Sequence, residues 1–174
     1  MKTRKLWIGF ISVITISFAV LIYFGREIYR EAPPIPEKVL TEDGRLLFTG
    51  QDISDGQNVW QSLGGQELGT VWGHGAYQAP DWTADWLHKE AVFMLDQLAM
   101  QKFGLSYDQI KEEDQANLKI LLQQDIRKYT YNTDNKTLTL SNLRAEAFKS
   151  NSSHYSGLFT DNPEMADLRD AYSI

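Results

Sequence analysis

The 174-residue sequence contains no cysteine. Disulfides, Cys-ligated zinc, iron–sulfur clusters and thioether-attached haem all need a thiol, so all are excluded. Histidine is scarce: His74, His88 and His154 are the only three. None is one helical turn from another, so neither H-E-x-x-H nor H-x-x-E-H is present, and hydrogen-bonded structural roles are expected for all three. Gly64-Gly65 and Gly73–Gly75 are followed by no Lys-Ser/Thr pair and do not fall in a G-x-G-x-x-G frame. That excludes the usual phosphate-binding loops.

Positive charge is also in short supply. The formal net charge is −6, and it is uneven along the chain. Residues 1–31 carry Lys2, Arg4, Lys5, Arg26 and Arg30 against Glu27 and Glu31, whereas the remainder carries 12 basic and 21 acidic side chains. An acidic outer part with no basic stripe excludes nucleic acid as a partner, since phosphate neutralisation requires clustered Lys and Arg. The length suits one modest domain, and an apolar content of 43% does not indicate disorder.

One apolar run stands out. Leu6 to Phe24 is free of charge for nineteen residues, and as a helix it would extend roughly 28 Å, about the thickness of a bilayer's hydrocarbon core. Trp7 and Tyr23 lie near its ends, where amphipathic rings favour the interface. The basic residues before it predict a cytoplasmic N-terminus and an extracytoplasmic remainder. A cleaved signal peptide fits less well. The run exceeds a usual signal core, and Phe24 to Ala32 offers no small-x-small cleavage pair.

The reading divides the chain into a cytoplasmic N-terminus (1–5), a transmembrane helix (6–24), a proline-containing spacer (25–50) and an outer domain (51–174). Pro33, Pro34 and Pro36 stiffen the spacer. Val39 to Phe48 is expected as a short hairpin around Glu42-Asp43-Gly44. Ser54-Asp-Gly-Gln57 has capping-box form and is expected to open a helix ended by Gly64-Gly65. Asp81 or Thr83 should cap a helix from about Ala84 to Phe103, stopped by Gly104. Its apolar residues cover more than one face, as for a central buried helix. Ser106-Tyr-Asp-Gln109 should start an amphipathic helix with Ile110, Leu118, Leu121, Leu122, Ile126 and Tyr129 on one side. Thr137 to Leu140 reads as a strand, Ser141 as the cap of a helix to about Lys149, and Asn162-Pro163-Glu164 as the start of a last helix. The outer part is mainly helical.

Gly56 to Trp86 is the densest segment. It holds four of the five tryptophans and six glycines, which implies a tight, glycine-hinged backbone laid against aromatic rings. Trp60, Trp72, His74, Tyr77, Trp82 and Trp86 form the candidate structural or docking block. The rings serve as the domain's core, as a docking face, or as both. Asp81, Asp85 and Glu90 lie among them. Capping and helix-dipole pairing account for the two aspartates, and Glu90 is expected to meet Lys89 or another charge. No nucleophile accompanies these carboxylates, so no catalytic residue is assigned.

The run from Gly56 to Ala91, GQNVWQSLGGQELGTVWGHGAYQAPDWTADWLHKEA, resembles the N-terminal region of the quinol-dependent, single-subunit nitric oxide reductases of the haem–copper oxidase superfamily. A related frame occurs in the haem-bearing small subunit of the cytochrome-dependent reductases: Gly-x-x-x-Trp, C-x-x-C-H, Gly-x-Gly-Ala-Tyr and Ala-Pro. Laid on this chain without a gap, that frame puts Gly65 and Leu68 at the haem-attaching cysteines and Gly69 at the ligating histidine. The resemblance therefore implies a cytochrome c-like outer domain without haem, its vacated volume filled by Trp and Tyr.

The resemblance further implies a bacterial inner-membrane location, a periplasmic outer domain and partnership with a multi-span catalytic bundle. That bundle would hold haem b and non-haem iron and draw electrons from membrane quinol to reduce NO to N2O. The chain has one span and none of the bundle's histidines, so it is expected to be inactive alone, with no cofactor and no redox-active residue of its own. It would be a fragment, a split-gene product or an anchor for a separate catalytic chain. Two other readings stand beside this one: an autonomous anchored sensor or ligand-binding module, and an electron-transfer subunit holding non-covalent haem through His74 or His88.

Overall fold

The computed structural model describes residues 2–71 and 80–172. The chain divides into two compact units, Met1–Ile35 and Pro36–Ile174. The first is a single helix, α1 (Lys2–Glu31), and its stretch Thr3–Glu31 is long and apolar enough to cross a membrane. Side chains from Leu6 to Phe24 are exposed along it, as suits a helix solvated by lipid. Backbone hydrogen bonding continues past the apolar run through Arg26–Glu31, where Arg30 pairs with Glu27 and Glu31.

The second unit contains five helices and four short strands among its described residues. The hairpin is present, with β1 (Lys38–Thr41) antiparallel to β2 (Leu46–Thr49). The sheet also includes β3 (Tyr131–Asn132) and β4 (Thr137–Leu140), in the order β2-β1-β4-β3. The central pair, β1 and β4, is parallel and in register from Lys38↔Thr137 to Thr41↔Leu140. Parallel strands need a long crossover, here everything from α2 to β3. Val39 and Thr41 are buried under this sheet, and the Glu37–Lys136 ion pair closes its end at 2.9 Å.

α2 (Gly50–Ser62) begins four residues before Ser54. Its cap is Thr49, which exchanges hydrogen bonds with Asp52 in a capping box, while the Ser54 hydroxyl donates to the Gly50 carbonyl inside the first turn. Two overlapping box patterns were available, and the hairpin's end selected the earlier one. α3 (Trp82–Phe103) is capped by Asp81 and stopped by Gly104 in the left-handed conformation, as expected. It packs against both α4 (Glu112–Arg127) and α5 (Asn142–Leu158). It is central but not buried all round, because Leu87 and Met100 are exposed.

Ser106 and Gln109 do form a capping box, but it encloses only a 3-10 turn at Tyr107–Gln109; α4 starts after it, at Glu112. Leu118 and Leu122 of α4 are buried, whereas Leu121, Ile126 and Tyr129 are exposed. Ser141 caps α5, which continues nine residues beyond Lys149, to Leu158. Pro163–Met165 forms a 3-10 turn that leads into α6 (Ala166–Tyr172).

Two apolar clusters tie the helices together. Met94, Leu122 and Ala147 join α3, α4 and α5, and Ala99, Ile110 and Leu118 join α3 to α4 and the turn before it. Each fully buried Leu or Met contributes about 1.5–3 kcal/mol. Glu90 of α3 is buried, and Arg144 of α5 donates to it at 2.9 Å, so an ion pair crosses the same seam.

Candidate functional site

The glycine-rich segment folds back onto the start of α3. Gly64 terminates α2 with φ +70°, Gly65–Glu67 makes one 3-10 turn, and Gly69 adopts φ +156°. Thr70 then bridges to Asp81: its N–H donates to the Pro80 carbonyl at 3.0 Å, and Trp82 N–H donates to the Thr70 carbonyl at 2.9 Å. Asp81 accepts from the N–H groups of Thr83 and Ala84, so one residue closes the loop and caps the helix. The loop is held at both ends by backbone bonds.

Two tryptophans lie on the buried glycines of this loop. A Cβ built on Gly65 would fall 2.2 Å from the Trp60 ring, and one built on Gly69 would fall 2.2 Å from Nε1 of Trp82 and 2.7 Å from the Pro80 carbonyl oxygen. Gly65 and Gly69 are the positions that align with a haem-attaching cysteine and the ligating histidine. With indole rings already on both, and no thiol anywhere in the chain, these residues do not fit thioether-bound haem. No step through such a group is derived.

Trp82 is buried and holds Tyr155, Phe159 and Tyr172 edge-on, at centroid separations of 6.1, 5.2 and 5.6 Å. Trp86 stacks on Tyr155 at 5.3 Å with only 9° between the planes, and it leans on Phe148 at 5.7 Å. Such pairs add about 0.5–1.5 kcal/mol each beyond the burial of area. Trp60 and Trp86 are half-buried. Trp72, His74 and Tyr77 lie outside the described residues.

At the α3–α5 seam Asp85 is not simply a helix-dipole partner. It accepts the Tyr155 hydroxyl at 2.6 Å, faces the Tyr172 hydroxyl at 3.4 Å and pairs with Lys89 at 3.6 Å. Burial first, then the bond to the Asp85 carboxylate, pushes the Tyr155 phenol far above its ordinary pKa. Tyr172 is raised by burial and by the charge of the same carboxylate. Glu90 takes Arg144 as its partner, leaving Lys89 to Asp85.

The histidines form no metal set. His88 is exposed on α3 and His154 half-buried on α5, both lining a cleft of about 430 Å³ with Asp96 and Asn151. Among the described residues no group of three His, Asp or Glu is gathered for a metal. Against the expectation of a hydrogen-bonded role, the buried Nε2 of His154 has no partner among the described residues. Burial, with Lys89 nearby, lowers its pKa against a smaller opposing effect of Asp85. A larger cleft, about 760 Å³, lies beside α2 and is lined by Gly56, Gln57, Trp60, Gln61, Gln66, Gly69 and Val71. Its lining carries no charge.

Sequence reasoning located Trp60, Trp82 and Trp86 but missed Tyr155, Phe159, Tyr172 and Arg144. A signal for the first two existed. Phe148, Asn151, Tyr155 and Phe159 recur every three or four residues along one helix face, but the polar run Ser150 to His154 masked the continuation of α5.

An N-terminal helix of membrane-spanning length, followed by a helical unit whose glycine loop is roofed by tryptophans, defines a membrane-associated protein with a cytochrome c-like outer domain. The family model of the cytochrome c-like domain of the nitric oxide reductase protein NorB matches residues 36–174. The chain belongs to that family and is part of a nitric oxide reductase. No curated protein matches the chain.

Proposed function

We propose that this chain is the membrane anchor and haem-free outer domain of a quinol-dependent nitric oxide reductase. The observation that carries this reading is the placement of Trp60 on Gly65 and of Trp82 on Gly69. A cytochrome c-like frame whose attachment and ligand positions are glycines covered by indoles is suited to structure, not to carrying haem. Electrons would pass from membrane quinol to the catalytic bundle without crossing this domain.

In this reading α1 anchors the chain in the bacterial inner membrane with its N-terminus in the cytoplasm, and the outer unit faces the periplasm. The aromatic block and the exposed face of α2 cover the periplasmic side of a multi-span partner that holds haem b and non-haem iron. That partner is either a continuation of the same polypeptide or a separate chain. It performs the reduction of NO to N2O.

The test has two arms. The purified full chain, incubated with haem, is expected to show no stoichiometric Soret band; a stoichiometric band would support the electron-transfer reading instead. Co-expression with a multi-span reductase bundle lacking its own outer domain should restore quinol-driven NO consumption. Failure to co-purify with any such bundle would favour a sensor using the uncharged cleft beside Trp60.

A further inference from the structure

Six rings make one continuous series of contacts: Trp60, Phe159, Trp82, Tyr155, Trp86 and Phe148. Successive centroids are 6.5, 5.2, 6.1, 5.3 and 5.7 Å apart. Core packing accounts for the contacts but not for the polar atoms among them. The Tyr155 hydroxyl donates at 2.6 Å to a carboxylate, and a second phenol, Tyr172, faces the other oxygen of that carboxylate at 3.4 Å. The Nε1–H of Trp82, in the middle of the series, is buried with no acceptor among the described residues. An unsatisfied buried donor calls for an explanation.

We propose that this cluster is a one-electron relay in which Tyr155 is the terminal electron donor and Asp85 its proton acceptor, apart from the reductase's own electron route. A diffusing one-electron oxidant, a radical or a metal complex, removes an electron from Trp60 at the cleft. The oxidant is reduced and an indole radical cation remains. An electron from Trp82 refills Trp60 through the Phe159 contact. An indole radical cation normally settles by releasing its N–H proton, but Trp82 has no acceptor for it among the described residues and so remains strongly oxidising.

Tyr155 then supplies the electron to Trp82 while its phenolic proton crosses to Asp85. The products are neutral Trp82, a neutral tyrosyl radical and a protonated Asp85, so charge balances. A phenol gives up an electron far more readily when its proton leaves with it. Lys89 and Tyr172 face the same carboxylate, and His154 lies edge-on to Tyr155 at 5.2 Å. A small-molecule one-electron reductant resets the site as Asp85 returns the proton. The relay would drain oxidising equivalents away from the tryptophans that hold the domain together.

The cysteine-free sequence makes the test site-selective. A Gln61→Cys full-length chain in detergent micelles is labelled beside Trp60 with a ruthenium polypyridyl photo-oxidant and flashed with an irreversible electron acceptor. Freeze-quench EPR, with ring-deuterated tyrosine to assign the signal, should show a tyrosyl radical. Tyr155→Phe, which keeps the ring packing, should abolish that signal and leave a tryptophan radical. Asp85→Asn should slow tyrosyl formation by about tenfold or more, because the charged acceptor is lost. Transfer of the labelled chain without further substitution into D2O should slow it too, a readout independent of any variant's folding. A tyrosyl signal undiminished in Tyr155→Phe, no tyrosyl at all in the labelled chain, or rates indifferent to both Asp85→Asn and D2O would overturn the proposal.

Discussion

The indole nitrogen of Trp82 occupies the space that a side chain on Gly69 would need: a Cβ there would come within 2.2 Å of it. This contact joins the glycine loop to the first turn of α3 and leaves no room for any larger residue at position 69.

Gly69→Ala should therefore be severe. The new Cβ meets a backbone oxygen, that of Pro80, at 2.7 Å, and φ +156° suits glycine alone. The combined crowding and backbone strain should cost about 3 kcal/mol or more. Gly65→Ala should cost less, since Trp60 is a side chain at a half-buried site and has room to turn. Thermal unfolding of the full chain in micelles gives the comparison, and equal midpoints for the two variants would contradict it.

Trp82→Ala should destabilise the outer unit by about 3–5 kcal/mol, as for a large aromatic removed from a core. Trp60→Ala should cost clearly less. A Trp82→Ala midpoint equal to that of the unsubstituted chain would show that the ring faces a partner and is not part of the core.

For the Glu90–Arg144 pair, Arg144→Leu alone leaves a carboxylate stranded in a site where Glu90 is 6% exposed. The loss should be about 3–5 kcal/mol. Replacing both residues with leucine should recover most of it, because the desolvation of two charges is relieved together. A double-mutant cycle measures this directly, and additive single losses would rule out coupling.

Stability should fall at both ends of the pH range. Burial lowers the pKa of His154, so its neutral form contributes fully above the free-imidazole value of about 6.5, and the contribution fades as pH falls below it. Tyr155 has the opposite sign. Its folded pKa is raised, so its contribution is complete below the free phenol's value of about 10 and is lost as pH rises through it. Denaturant midpoints measured across pH should lose the acid limb in His154→Phe and the alkaline limb in Tyr155→Phe.

What could be read in advance was local. Asp81 as a cap, Gly104 as a stop, Ser141 as a cap and Pro163 at a helix start each act on backbone groups within three or four residues, so a short window contains the whole cause. Where two local patterns competed, the window failed: Thr49–Asp52 prevailed over Ser54–Gln57 because the strand ending at Thr49 set where α2 had to begin. The Ser106–Gln109 box was recognised correctly, but its extent was not, since the chain after Gln109 turns to bury Ile110.

The sequence by itself determined the membrane-spanning helix, the helical character of the outer part, the absence of any thiol chemistry and the family's aromatic-glycine signature. These rest on composition and on neighbours close in the chain. Only the tertiary structure decided the rest. It set the parallel pairing of β1 with β4, placed Tyr155 on Asp85 across 70 residues, matched Arg144 to Glu90 across 54 and laid Trp82 on Gly69. A hydroxyl or a guanidinium accepts any carboxylate within reach as its partner, so partner choice is written in the packing of α3 against α5 and not in either segment alone.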